Sequence, residues 1–213
     1  MKHTSEDLHA ITATTLGHYN AVAESFREGT RDHDVSQNID ALLRHIQGQA
    51  PLHILDLGCG PGRDLRTFTA LGHVAVGLDG SEEFARMARQ DSGCEVWQQD
   101  FLELDLPAER FDGIFANAVL FHVPVQELPR VLKQLHATLK PGGVLFSSNP
   151  RGETRRAGTA SASAPTTTSR PGARCWAMQA SWNWSITTDR RGCRASNSLG
   201  WRVSGVRIEY PSP

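Results

Sequence analysis

The stretch Ile54-Leu55-Asp56-Leu57-Gly58-Cys59-Gly60-Pro61-Gly62 decides the fold. Its first half continues the apolar run from Leu52 and reads as a short, buried strand; its second half breaks into three glycines. Glycines let a backbone approach a ligand closely, and open α/β sheets bind ligands at the carboxyl ends of their strands. A lone glycine-rich turn also reads as a plain tight turn. The spacing is G-x-G-x-G, not the G-x-G-x-x-G that seats a pyrophosphate on a helix N-terminus. Pro61 removes one N–H from the loop, which suits a ligand without a diphosphate. Asp79 ends the next strand, 23 residues after Asp56, where a carboxylate can accept both hydroxyls of a ribose. Together these features point to a nucleoside ligand lacking a pyrophosphate.

Outward from this loop the pattern alternates helix and strand as far as Asn149, predicting a parallel sheet. A helical stripe (Val35, Ile39, Leu42, Leu43, Ile46) covers 35–47, and another helix is expected from Arg63 to Leu71. Val74 to Leu78 reads as the second strand. Ser81, followed by Glu82 and Glu83, reads as the N-cap of a helix reaching Gln90. Cys94 to Gln98 and Phe111 to Ala116 are the third and fourth strands. A long amphipathic helix over Gln126 to Leu139 tolerates Pro129 in its first turn and stops at Pro141-Gly142-Gly143. Val144 to Ser148 is the fifth strand. The fold class is α/β, Rossmann-like and doubly wound, with helices on both faces of a mainly parallel sheet.

The 213 residues suffice for one domain, and a formal net charge of -1 gives no long-range pull toward nucleic acid or an anionic membrane. No apolar run approaches the roughly 20 residues of a membrane span. The N-terminus has no apolar signal core, and Cys59, Cys94, Cys175 and Cys193 lack metal-ligand spacing. A cytoplasmic protein without nucleic-acid or membrane partners is expected; the oligomeric state stays open. The average charge hides a seam. Residues 1–152 carry 13 Lys/Arg against 20 Asp/Glu, whereas 153–213 carry nine Arg against three acids and only five Leu, Ile or Val. Such a tail is too poor in aliphatics to build a core, and no secondary structure is expected in it.

Residues 15 to 152 resemble the class I S-adenosylmethionine-dependent methyltransferases, whose motifs follow here in order. Ile54 to Gly62 resembles the loop around the methionine part of S-adenosyl-L-methionine, implying contacts from Asp56, Gly58, Cys59, Gly60 and Gly62. Val76 to Ser81 resembles the acidic motif, with Asp79 on the ribose beside Gly80 and Ser81. Gln99-Asp100-Phe101 is similar to the motif placing Asp100 near the adenine amine and Phe101 near its ring. Phe111 to Asn117 resembles the fourth-strand motif, whose end, Asn117-Ala118, faces the cofactor. Leu139-Lys140-Pro141-Gly142-Gly143 resembles the turn before strand five. Tyr19-Asn20 and Phe26-Arg27 resemble a lid that brings Tyr19 and Arg27 to the cofactor, although Tyr19 and Phe26 equally read as a helix staple. His122 reads either as a general base or acceptor contact, or as a structural histidine beside an apolar turn. Cys59 reads as packing, and Glu103 and Asp105 as solvated acids.

The resemblance implies a helical lid over 1–50, a cofactor-binding core over 51–152 and a tail over 153–213. It also implies methyl transfer to a small-molecule acceptor. A non-catalytic protein that holds the cofactor or its product, and a nicotinamide-dependent oxidoreductase, are the rival readings; the glycine spacing disfavours the second. Family members continue past strand five with a helix and two strands, and residues 153–213 do not look like that continuation. Read one base out of frame, Arg174 to Trp184 becomes Leu-Leu-Gly-Asp-Ala-Gly-Phe-Val-Glu-Leu with permissible codons, a helix end, turn and strand. A one-base frameshift near Glu153 or Thr154 is therefore expected, with the family's last strands missing.

Overall fold

A computed structural model describes residues 3–150 and, beyond them, two strands at 185–187 and 201–207. Helices α1 (Ser5–Thr30) and α2 (Ser36–Leu43) precede β1 (His53–Leu57), α3 (Arg63–Ala70), β2 (Val74–Asp79) and α4 (Glu82–Ser92). Then come β3 (Glu95–Gln98), β4 (Phe111–Asn117), α5 (Leu128–Thr138), β5 (Leu139–Pro150), β6 (Ser185–Thr187) and β7 (Trp201–Arg207). The sheet order is β3-β2-β1-β4-β5-β7-β6. The first five strands are parallel; β7 runs antiparallel to β5, and β6 to β7.

Alternation along the strands builds two cores, one on each face. Ile54, Phe115 and Phe146 turn to the side of Leu42, Leu65 and Phe68. Leu55, Leu57, Ile114 and Leu145 turn to the side of Val131 and Leu135 from α5. Phe115 and Phe146 stack with ring centroids 5.1 Å apart, and Phe68 meets Phe115 edge-on. β1 is the axis of this arrangement: Ile54 pairs with Ala75 on one side and Gly113 on the other. The glycine loop therefore leaves the sheet at its centre, beside the end of β4.

Several boundaries differ from expectation for physical reasons. The helix expected over 35–47 closes at Leu43, where the Arg44 N–H bonds back to Asp40 and Leu42 carbonyls. The helix α5 starts at Leu128, with Pro129 in its first turn as expected. β5 begins early: Leu139 pairs with Phe111, the register shifts across 140–143, and pairing resumes at Gly113 with Val144. The first 30 residues are mostly one helix, opened by a capping box in which Thr4 and Asp7 exchange side-chain and backbone bonds. The tail, to which the sequence assigned no structure, contributes β6 and β7, so β5 is covered on its outer edge by Trp201–Arg207. The remainder of 151–213, including the low-complexity stretch and all of the out-of-frame reading, lies outside the described residues.

Candidate functional site

A cavity of about 980 Å³ opens at the carboxyl ends of β1, β2 and β4, with Leu16, Tyr19 and Phe26 of α1 in its wall. That volume lies near the upper end for small-molecule sites, generally about 300–1,000 Å³. Of the residues picked from sequence, Tyr19, Gly58, Cys59, Gly60, Asp79, Gly80, Asp100, Phe101, Asn117, Ala118 and His122 all line it. Asp56, Gly62 and Ser81 stand behind the lining.

The glycine loop is anchored to β2 by its own backbone. Gly58 and Cys59 N–H both donate to the Leu78 carbonyl, at 2.7 and 3.1 Å. Asp79 then ties two loops together. One carboxylate oxygen accepts the Gly60 N–H at 2.9 Å and the other the Ser81 N–H at 2.8 Å. Burial pushes this carboxyl up to about 6 against the opposing pull of the Ser81, Gly60 and Gly80 N–H groups. Each oxygen keeps lone-pair capacity toward the cavity. Asp56 is more extreme: fully buried and next to Asp64, it is pushed well above the usual carboxylate range. Its Oδ2 has no hydrogen-bond partner. Burial likewise pushes the Cys59 thiol up, which makes it packing material rather than a nucleophile.

Behind the lining, Gly62 caps α3 with φ 88°, and a Cβ there would stand 2.9 Å from Ala88 Cα. Its role is close helix packing. Ser81 is completely buried. It accepts the Phe84 N–H, as the N-cap reading expects, and donates to Asn20 Oδ1 at 2.6 Å. Asp100 caps the 3-10 turn Phe101–Glu103 by accepting the Leu102 N–H at 2.8 Å.

Helix α1 closes the cavity with an aromatic cluster. The Tyr19 ring sits 5.9 Å from Phe26, 5.6 Å from Phe84 and 5.4 Å from His122. The Tyr19 hydroxyl lies 3.0 Å from His122 Nε2. Burial lowers the pKa of His122 and, with Asp79 nearby, raises that of Tyr19, so both are neutral at neutral pH. The staple and lid readings of Tyr19 are thus compatible: it packs in a cluster and lines the site. Arg27 is a correction. Its guanidinium pairs with Glu24 and Asp91 on the outer surface, and the residue does not line the cavity, because Phe26 takes the inward position on the helix.

Sequence reading missed Asn38, which is 95% buried in the cavity wall. Its Nδ2 donates to Asn117 Oδ1 at 2.9 Å, and the Ser148 hydroxyl donates to the same oxygen at 2.6 Å. Its own Oδ1 has no partner. The available signal was positional: Asn38 falls one turn before Leu42, a polar residue on the face of α2 that packs inward. Among the described residues no group of three or more metal-ligating side chains occurs, and no helix is long and apolar enough to cross a membrane.

Residues 54–143 match a family model described as "Methyltransferase domain". Over 114 residues the chain is 38% identical to trans-aconitate 2-methyltransferase of Azoarcus sp. (strain BH72), covering 51% of this chain and 44% of that protein. Over 129 residues it is 30% identical to sterol 24-C-methyltransferase of Debaryomyces hansenii, covering 57% and 32%. The chain thus spans less than half the length of either relative. Among solved structures, the DhpI–SAH complex superposes with a TM-score of 0.56 at 26% identity, covering 70% of this chain and 72% of that one. Fold and glycine loop define a methyltransferase domain. Residues 54–143 are similar in sequence and fold to class I S-adenosylmethionine-dependent methyltransferases.

Proposed function

We propose that this chain transfers a methyl group from S-adenosyl-L-methionine to a small-molecule acceptor. The observation that carries the reading is the cavity at the ends of β1, β2 and β4, bounded by the glycine loop, Asp79 and Asn117. The residues fit the cofactor. Asp79 has oxygens directed at the loop and spare acceptor capacity for ribose hydroxyls. Asp100 and Phe101 line the cavity beyond β3, which supports a seat for the adenine there. Gly58, Gly60 and Ala118 line the cavity, which supports backbone contacts to the methionine part, and the buried Asp56 Oδ2 has no hydrogen-bond donor. Relatives named for trans-aconitate and for ubiquinone biosynthesis support a small-molecule acceptor.

S-adenosyl-L-methionine supplies an activated sulfonium methyl, so the protein's main task is to hold the acceptor in line with it. His122 is neutral and reaches the cavity, and it takes the proton that the acceptor loses. The Tyr19 hydroxyl holds the imidazole in position from the helix side. Tyr19, Phe26 and Phe84 form an aromatic wall at that end of the cavity.

The test is calorimetric titration of the 213-residue chain with S-adenosylhomocysteine against NAD, followed by methyl transfer to hydroxyl, thiol, amine and metalloid acceptors. Micromolar S-adenosylhomocysteine binding that disappears in Asp79→Ala, with transfer to one acceptor class, is the expected result. Absence of S-adenosylhomocysteine binding by a cooperatively melting chain overturns the reading. Binding without any transfer favours a protein that only holds the cofactor.

A further inference from the structure

Among the described residues, two buried side-chain polar atoms have no hydrogen-bond partner: Asp56 Oδ2 and Asn38 Oδ1. Both are oxygens and both lack a donor. Leaving a buried acceptor unsatisfied is costly, so each oxygen calls for an explanation.

Topology puts them on the same side of the sheet. Asp56 lies two residues beyond Ile54 on β1, and Asn117 lies two beyond Phe115 on β4. Ile54 and Phe115 both face the α2 side, so the alternation of strand side chains sends Asp56 and Asn117 to that side as well. Asp56 pairs with Phe115 across the strands, so Asn117 is its diagonal neighbour. Asn38, from α2, reaches this point directly, because its Nδ2 donates to Asn117 Oδ1. Ser148 from β5 donates to the same oxygen, and its Oγ accepts the Ala118 N–H at 3.1 Å. This chain of bonds fixes the Asn38 amide, so that its nitrogen is used inside the protein and its oxygen is not. Bulk water reaches neither orphan oxygen.

We propose that Asn38 is a cofactor-binding residue: its side-chain carbonyl, together with the Asp56 carboxylate, receives the α-ammonium of the methionine part of the ligand. The inference rests on the methyltransferase reading above and extends it to a helix outside the sequence motifs. An ammonium carries three N–H donors on one atom and a positive charge. Such a donor suits the orphan carbonyl of Asn38 in the cavity wall, with the Asp56 carboxyl on the same side of the sheet. Asn117 acts behind Asn38 as a positioning residue, with Ser148 in support.

The experiment compares two ligands that share the adenine, ribose and sulfur but differ in the amino-acid part. S-adenosylhomocysteine carries the ammonium; 5′-methylthioadenosine does not. Both are titrated calorimetrically into the full chain, into Asn38→Leu and into Asp79→Ala, with thermal melting of each. The expected result is that Asn38→Leu weakens S-adenosylhomocysteine about tenfold or more and leaves 5′-methylthioadenosine unchanged. Asp79→Ala, at the ribose, is expected to weaken both. If Asn38→Leu melts without cooperativity, Asn38→Ala takes its place, since alanine is the best helix former. Equal weakening of both ligands in the Asn38 variant means a structural role and overturns the assignment, as does unchanged binding of S-adenosylhomocysteine. Failure of the unaltered, folded chain to bind either ligand overturns the methyltransferase reading itself.

Discussion

The Tyr19 hydroxyl stands 3.0 Å from His122 Nε2, joining helix α1 to the turn after β4 across 103 residues of chain. Both groups are neutral at neutral pH, and the direction of the bond follows the imidazole tautomer: with Nε2–H donating to the phenol oxygen, Nδ1 keeps its lone pair. The bond holds α1 over the cavity. Tyr19→Phe keeps the ring packing against Phe26 and Phe84 and removes only the hydroxyl. It is expected to cost about 0.5–1.5 kcal/mol in urea unfolding at pH 7.

If His122 is the proton acceptor, His122→Gln separates chemistry from binding. Methyl transfer is expected to fall roughly 10²–10⁴-fold, the range for loss of a general base. S-adenosylhomocysteine affinity, measured by titration, is expected to stay within about twofold of the parent. A parallel loss of binding would make His122 part of the cavity's structure instead.

The Asp79 carboxyl, pushed up to about 6 from an ordinary value of 3.8, links both stability and affinity to pH. The folded chain holds this proton more tightly than the unfolded chain does. Its share of stability is therefore fully present below pH 3.8 and lost as pH rises through 6. Asp79→Asn removes the linkage. Relative to the parent it is expected to gain on the order of 2–3 kcal/mol between pH 4 and pH 7. Ligand binding has the opposite sense, because ribose hydroxyls donate to the ionised form. Affinity of the parent for S-adenosylhomocysteine is expected to climb from pH 5 to about 6.5 and then level off, with a shallower climb in Asp79→Asn.

Gly62 and Gly93 both have left-handed backbone, with φ of 88° and 68°, but only Gly62 has a neighbour in the way. Alanine at either position carries a conformational cost of about 1–2 kcal/mol. At Gly62 its Cβ also meets Ala88 on α4, adding about 1–3 kcal/mol of overpacking. Thermal melts are expected to rank Gly62→Ala well below Gly93→Ala.

Arg27→Ala is expected to leave S-adenosylhomocysteine affinity within about twofold. Its pairs with Glu24 and Asp91 lie on the surface, where water screens them. Calorimetric titration checks this directly.

The sheet and its binding edge were legible because short apolar strands ending in glycine or aspartate carry their position in their composition. β1 and β2 fall within a residue of expectation, and Asp79 and the glycine loop meet where the spacing requires. Two kinds of feature were not legible. Helix α1 buries only Leu8 and Ala23, so its sequence has little apolar period to read. Asn38 sits in an apolar stripe as its one polar member, and its meaning lies in Asn117 and Ser148, 79 and 110 residues away along the sequence. The inward and outward faces of α1 are also set by tertiary contacts, which is why neighbouring residues Phe26 and Arg27 have opposite fates. β6 and β7 come from a stretch too poor in aliphatics to signal strands at all.

Among the described residues, the cavity wall is drawn from residues 12 to 124. Beyond that point, among the described residues, Ser148 supports Asn117 from behind. The grip on a ligand and the closing of the sheet's far edge are thus encoded in separate stretches. Among the described residues, the cavity-lining side chains lie upstream of residue 150, while Trp201–Arg207 protects the edge of β5.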